Sequence, residues 1–285
     1  MVTRKELYDK CVEILKESGF AEDCSMEVTW IFQDVLGEKN IRSSPDEMLT
    51  TEQERKITET VVRRSQGYPL QYLLGEWEFY GLPFKVGEGV LIPRQDTETL
   101  VDIAAGKYKK TDSPTVIDLC AGSGCIGIAL ERQLSSPKIY AVEKYPEAAG
   151  YLAENIRLNG SRIEMTVGDV LDIRTASSLP KADLIVCNPP YLTSEDMENL
   201  QREVSFEPEC ALFGGEDGLD FYRAVTRIWK KNLKSGGMLM FEIGAGQEDE
   251  VMQIMIQHGF RNVRCRKDLC GVVRCVFGTM EVSCP

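Results

Sequence analysis

The stretch "TVIDLCAGSGCIG" (115–127) constrains this chain more than any other. A short β-branched run ends around Asp118. Gly122, Gly124 and Gly127 then lead into an apolar helical segment running from Ile126 to Leu134. A strand that turns into a helix through closely spaced glycines opens a strand–helix–strand unit, because bare backbone permits both the tight turn and close approach to a ligand. The spacing satisfies G-x-G-x-x-G, and Glu143 closes the next strand, "KIYAVE" (138–143), about 20 residues on.

The alternation continues downstream. Further strands are read at "IEMTVGD" (163–169), "ADLIVCN" (182–188) and "GMLMFEIG" (237–244), with two late ones around Val263 and "RCVFG" (274–278). Helices fall between them: one through Leu152 and Ile156, one from near Asp220 to Leu233, and one ending at His258. This pattern predicts an α/β domain over 96–285, a mostly parallel sheet covered on both faces and ending in an antiparallel strand. Residues 1–75 read instead as a small helical bundle without catalytic motifs, suited to substrate recognition. Leu7, Cys11, Ile14 and Leu15 recur at helical spacing, Thr51 and Glu54 form a capping box ahead of Ile57 and Val61, and Pro45 suits the first turn of a helix begun in "RSSPDEM" (42–48). Residues 76–95, rich in aromatics around Gly81, Pro83, Gly87 and Gly89, read as a β-hairpin linker.

Two adenosine cofactors suit the glycine loop. A nicotinamide dinucleotide would place its pyrophosphate there and its ribose on Glu143. S-adenosylmethionine would use the same ribose contact, and the acids distinguish the two. Asp118 at the first strand end would repel a pyrophosphate, whereas it would either meet a methionine ammonium or brace the loop. Asp169, with Val170, ends the third strand where an adenine would lie. The ordered set Asp118, the loop Cys120, Ala121, Gly122, Ser123 and Gly124, then Glu143, Asp169 and Val170 favours S-adenosylmethionine.

"DLIVCNPPYL" (183–192) supplies the acceptor side. Proline cannot serve a strand interior, so the run ends at Asn188, in the crevice where ligands of open parallel sheets bind. An amide nitrogen has a delocalised lone pair. Gripping both its N–H groups turns that pair toward an electrophilic methyl. The Asn188 side-chain oxygen and the Pro189 carbonyl form such a pair of acceptors, Pro190 stiffens the backbone, and Tyr191 offers a flat packing face. The catalytic and substrate-binding set is therefore Asn188, Pro189, Pro190 and Tyr191, with Asn188 also reaching the cofactor.

Composition narrows the partners. A net charge of -12 does not suit binding through phosphate neutralisation, so no direct nucleic-acid binding is expected. No window approaches a membrane span, and "MVTRKELYDKCVEILKE" lacks the apolar core of a signal peptide, which predicts a cytoplasmic protein. The ten cysteines contain no C-x-x-C pair, and with His258 as the one histidine no metal site is expected. Arg94 and Glu98 suit either the cofactor mouth or a hinge ion pair. Glu207 suits a brace for the tetrad loop or a surface position, Glu242 a structural strand end, and His258 no chemical role.

Along most of its length the chain resembles the HemK family, the protein-(glutamine) methyltransferases that modify peptide-chain release factors. The resemblance is carried by "GYPLQYLLGEWEFYGLPFKVGEGVLIPRQDTETLV", "DLCAGSGCIGIAL", "NPPYL", "FEPECALFGGEDGLDFYR", "FEIG" and "KDLCGVVRCVFG", in the family order. It implies a Rossmann-like domain with a seven-stranded sheet, and methyl transfer from S-adenosyl-L-methionine, leaving S-adenosyl-L-homocysteine. The implied acceptor is the glutamine amide in a release factor's Gly-Gly-Gln loop, and the expected enzyme is a monomer. Cys120 to Gly124, Glu143, Val170 and Asn188 match family cofactor positions, and Asn188 to Tyr191 match those that contact the glutamine. Gln95 and Asp96 stand where proline-glutamate is usual, Glu143 where aspartate is commoner, and Val170 where an aromatic often packs on adenine. The residues alone leave room for a ribosomal-protein glutamine or a nucleic-acid adenine as acceptor, and for a binding module without turnover.

Overall fold

The computed structural model describes residues 2–21, 23–108 and 113–281. They form two compact units, Met1–Glu76 with Gln201–Phe206, and Trp77–Leu200 with Glu207–Pro285.

The first unit is helical. Helix Arg4–Ser18 begins in a capping box between Thr3 and Glu6 and ends at left-handed Gly19, and helix Cys24–Leu36 is capped by Asp23. Helix Thr51–Ser65 uses Thr50 with Gln53 as its box, one residue before the expected Thr51 and Glu54. The sequence "TTEQE" offers both registers. Leu49 decides between them: it is buried and its N–H bonds the Val2 carbonyl, so the chain is extended until Thr50 and turns immediately after. Pro45 starts no helix, because its carbonyl is taken by the Lys5 N–H and the chain runs on through a turn. Leu7, Cys11, Leu15, Val28, Ile31, Phe32, Ile57 and Val61 make the shared core.

The second unit is a Rossmann-like α/β domain. A hairpin of β1 (Glu76–Phe79) and β2 (Leu82–Lys85) precedes the main strands: β3 (Thr115–Leu119), β4 (Lys138–Glu143), β5 (Glu164–Val167), β6 (Ala182–Cys187), β7 (Leu233–Glu242), β8 (Phe260–Lys267) and β9 (Val273–Met280). Seven strands form one sheet in the order β5-β4-β3-β6-β7-β9-β8. β5 to β7 of that order pair in parallel, and β9 runs antiparallel to both β7 and β8. The central strands read as unbroken apolar runs because both faces are covered. Val116, Leu184, Val186 and Met240 face one core, with helices Glu98–Lys107 and Cys125–Gln133. Ile117, Ile185, Leu239 and Phe241 face the other, with helices Asp220–Trp229 and Glu248–Gln257. β7 starts at Leu233, earlier than its apolar run suggests, because a register shift against β6 accommodates the polar "KSGG".

Candidate active site

β3 is the pivot of the sheet. β4 and β5 lie on one side of it and β6 and β7 on the other, so the strand order reverses between β3 and β6, where open sheets leave a ligand crevice. Leu119 pairs with Cys187, and Cys187 with Phe241. One residue further on, Cys120, Asn188 and Glu242 therefore stand side by side at three adjacent strand ends. Above them opens a cleft lined among others by Cys120 to Ser123, Glu143, Asp169, Val170, Asn188 and Pro190. Asp118, Gly124, Pro189 and Tyr191 do not line it.

The three glycines of the loop have different tasks. A Cβ on Gly122 would meet nothing closer than Val90 at 4.0 Å, so this residue offers bare backbone to the cleft. Gly124 has φ 82°, and a Cβ there would sit 2.4 Å from Leu152. Gly127 lets the helix pack down on Asp118, whose Oδ2 accepts the Gly127 N–H at 2.9 Å. Asp118 is fully buried and its Oδ1 has no partner. Burial pushes its carboxyl up to about 7, opposed by the Gly127 N–H and reinforced by the charge of Glu143. Its observed contact is that of a loop brace.

Glu143 is buried and accepts N–H bonds from Gly122 at 2.8 Å, Lys144 at 2.8 Å and Tyr145 at 2.9 Å. A carboxylate has about four acceptor positions, which leaves one for a ribose hydroxyl. Asp169 pairs with Lys144 Nζ at 3.0 Å and accepts the Leu171 N–H at 2.8 Å. The Val170 carbonyl accepts the Trp229 indole N–H at 2.8 Å, which fixes this wall, and Phe221 brings an aromatic ring to the lining that Val170 leaves aliphatic. Bare backbone at Gly122, a strand-end carboxylate and a mixed apolar wall fit an adenosine ligand carrying a methionine.

The tetrad is held by contacts distant in sequence. The N–H groups of Tyr191 and Leu192 both donate to the Leu212 carbonyl, and Gly214 donates back to Leu192. Gln247 donates through Nε2 to the Tyr191 carbonyl at 3.1 Å, while its Oε1 accepts from the Gly244 N–H and the Tyr222 hydroxyl. Gly214 and Gly218 press on the turn so closely that a Cβ would lie 2.6 Å from Tyr191 Cα and 2.4 Å from its carbonyl oxygen, respectively. Among the described residues no donor is placed on the Pro189 carbonyl. Asn188 Nδ2 donates to Thr97 Oγ1 at 3.4 Å. Burial, with a contribution from Glu242, pushes the Tyr191 hydroxyl up to about 12, so it stays neutral. Burial also keeps Cys187 protonated, with its sulfur 4.0 Å from that of Cys120.

Other residues settle into supporting places. Arg94 pairs with buried Glu207, which also accepts the Ile92 N–H at 3.0 Å, and Glu98 accepts the Tyr80 N–H at 2.7 Å. His258 ends its helix with Nδ1 2.8 Å from the Ile254 carbonyl. Among the described residues no group of His, Cys, Asp and Glu is arranged to hold a metal ion, and the described cysteines are free. Cys284 lies outside the described residues. Thr97, Gln247, Tyr222 and Phe221 were not read from the sequence as site residues. The glycines of "FGGEDGLD" were a visible signal, but their target was not.

A Rossmann-like sheet with a cleft at its switch point, lined by a glycine loop and a strand-end carboxylate and flanked by Asn-Pro-Pro-Tyr, defines an S-adenosylmethionine-dependent methyltransferase. Comparison with known proteins narrows the class. Residues 6–75 match the PrmC N-terminal domain, and residues 100–207 match the TRM5/TYW2 methyltransferase domain. The chain is 37% identical over 98% of its length to a release factor glutamine methyltransferase of Fusobacterium nucleatum, covering 79% of that protein. It is 36% identical to one of Geobacter sulfurreducens, over 97% of this chain and 96% of that one. The chain belongs to the release factor glutamine methyltransferase family. Among solved structures, a methyltransferase from Pyrococcus furiosus matches 82% of this chain and all of its own with a TM-score of 0.53 at 13% identity, a likeness of fold.

Proposed function

We propose that this enzyme methylates the side-chain amide nitrogen of the glutamine in the Gly-Gly-Gln loop of a peptide-chain release factor. The observation that carries the reading is the position of Asn188. It follows directly on the strand beside the glycine loop, lines the cleft, and precedes a proline carbonyl on which no donor is placed among the described residues. The names and full-length match of the relatives support the same acceptor.

When bound, S-adenosylmethionine supplies an electrophilic methyl. Gly122 and the rest of the loop would hold its methionine part, Glu143 its ribose, and Asp169, Val170 and Phe221 its adenine. The chain's own work is alignment. Asn188 Oδ1 and the Pro189 carbonyl accept the two amide N–H groups, and Tyr191 backs the turn with a neutral ring. As the N–CH₃ bond forms and the S–CH₃ bond breaks, the methylated nitrogen becomes acidic and loses a proton to water. No base is needed before transfer. The helical residues 1–75 carry no chemistry of their own and are assigned recognition of the protein substrate. A substrate of the translation machinery places the action in the cytoplasm, with the enzyme as a monomer and no direct contact with nucleic acid.

Purified release factor should take up radiolabel from labelled S-adenosylmethionine, and replacing its loop glutamine should abolish uptake. Label that survives the replacement, or that enters only RNA or a ribosomal protein, sinks the assignment. Asn188→Ala should leave cofactor binding largely intact while turnover falls ~10²-fold or more, as for other lost preorganised groups.

A further inference from the structure

Strand alternation should point Cys120 away from Cys187. Leu119 and Cys187 are register partners that face the same core, so the residue after Leu119 belongs on the opposite face of the sheet. Cys120 breaks the alternation with φ 56°, and its side chain packs against the core that holds Cys187. The two sulfurs stand 4.0 Å apart, with the Cys187 thiol donating to that of Cys120. We propose that Cys120 and Cys187 form an oxidation site, in which hydrogen peroxide joins them in a disulfide that shuts off methyl transfer until a thiol reductant releases it. The proposal adds regulation to the site described above, and it rests on the cleft holding the cofactor and on the role given to Asn188.

Position gives the two thiols different tasks. Cys120 is half-buried and lines the cleft, whereas Cys187 is fully buried at the end of β6. Burial, reinforced by Cys120, raises the Cys187 thiol well above its usual range, so Cys120 is the one to meet an oxidant first. The Cys120 sulfur attacks one peroxide oxygen and the O–O bond breaks, leaving a sulfenic acid and one water. The Cys187 sulfur then attacks that of Cys120. The S–S bond forms, the S–O bond breaks, and the hydroxyl leaves with the Cys187 proton as a second water. Two thiols are oxidised and one peroxide is reduced, which balances the step. Neighbouring strands about 4.8 Å apart and a rise of about 3.3 Å put the two Cα atoms roughly 6 Å apart, within the span of a disulfide.

The bridge acts on both halves of the site. Closing 4.0 Å to the ~2 Å of an S–S bond draws Cys120 toward β6. The glycine loop follows, because Cys120 is its first residue and its later ones are tied closely. The Gly124 N–H bonds the Ala121 carbonyl at 2.8 Å, and the Gly122 N–H bonds Glu143 at 2.8 Å. On the other strand, Cys187 is the residue before Asn188. A shift of about 1 Å in such groups can cost ~10²-fold in rate. A ligand in the cleft covers Cys120 and should slow the oxidation. The other described cysteines are placed differently. Cys11, Cys125 and Cys275 are buried and do not line the cleft, and Cys265 and Cys270 are exposed outside it. Cys210 lines the cleft and is the rival partner for Cys120.

The test uses the full chain with its exposed thiols removed, as Cys265→Ser with Cys270→Ser. The protein is treated with hydrogen peroxide, linked peptides are mapped by mass, and methyl transfer to a release factor is followed before and after. Treatment should yield a Cys120–Cys187 peptide, lower transfer about tenfold or more and weaken cofactor binding, and dithiothreitol should reverse all three. Saturating S-adenosylhomocysteine should slow formation of the bridge about tenfold. Adding Cys187→Ala should retain most of the transfer before treatment. Without a partner thiol its Cys120 is carried on to sulfinic acid, and dithiothreitol no longer restores activity. Should that variant not fold, the mapping of the chain that keeps Cys187 decides. A link from Cys120 to Cys210, no link at Cys120, or a bridged enzyme of normal activity overturns the proposal. If the reduced enzyme never methylates a release factor, the acceptor assignment fails instead, while the mapped bridge and its loss of cofactor binding still test the thiol pair.

Discussion

Cys120 sits in the glycine loop with φ 56°, a left-handed conformation that costs an L-residue with a Cβ roughly 1–2 kcal/mol. Its side chain compensates only modestly, with its sulfur 4.0 Å from Cys187 at the floor of the cleft. Cys120→Gly removes the strain and adds chain entropy in the unfolded state, so the net gain should be about 0.5–1 kcal/mol. It should appear as a higher urea midpoint with unchanged slope, and a lower midpoint would show that the thiol packing outweighs the strain. The same scale shows what the sequence disclosed about the site. Asn188 and the loop glycines are legible because their chemistry lies within a few adjacent residues. Thr97 is not, because it meets Asn188 from 91 positions away and sits in no periodic pattern. The position of Glu242 beside Asn188 is hidden for the same reason, since it comes from the β6–β7 register.

At the scale of elements, the strands were legible because burial on both faces writes them as continuous apolar runs. Their ends and caps were less so. Overlapping boxes in "TTEQE" left the start of helix Thr51–Ser65 to be decided by Leu49, and the register shift that lengthens β7 leaves no apolar mark. The glycines around Tyr191 belong to this scale, because they set how closely one loop approaches another. Gly214→Ala would drive a methyl into Tyr191 Cα and the Pro190 carbonyl, 2.6 and 2.7 Å away, where backbone must move. Overpacking of that kind costs typically 1–3 kcal/mol. Methyl transfer should fall about tenfold with cofactor affinity retained, because the turn carrying the Pro189 carbonyl shifts. Gly150→Ala, in an exposed helical position with nothing within 4 Å, is the contrast. It should leave activity alone and raise stability by up to about 1 kcal/mol. Equal activity losses in the two variants would detach the effect from the tetrad.

At the scale of the whole molecule, the division of the chain departs from a simple order of domains. Gln201–Phe206, some ten residues past Tyr191 in sequence, belongs to the helical unit. No motif or periodicity announces this, because the segment is a short turn whose partners lie far back in the chain. Within that unit Arg64 is the organising residue. It is buried, bonds Glu27 through Nε at 2.6 Å and through Nη2 at 3.1 Å, and also donates to the Phe20 carbonyl and Glu203 at 2.8 Å. Tyr68 and Phe206 pack edge to face, and Arg202 lies against Gly67, where a Cβ would come within 2.7 Å. Removing one member of a buried pair strands the other, so Arg64→Ala should destabilise the helical unit by about 3–5 kcal/mol. Replacing both members, Arg64→Met with Glu27→Leu, removes the stranded charge and should recover most of that loss, while Glu203 keeps its own exposure to water. Limited proteolysis separates the alternatives. Cleavage within 201–206 should accelerate strongly in Arg64→Ala, where both its anchor and its helical support are lost. In the double variant the helices should resist cleavage while the segment 201–206, still without its guanidinium, stays sensitive. Protection of that segment in both variants would mean that Tyr68 and Arg202 hold it without help from Arg64.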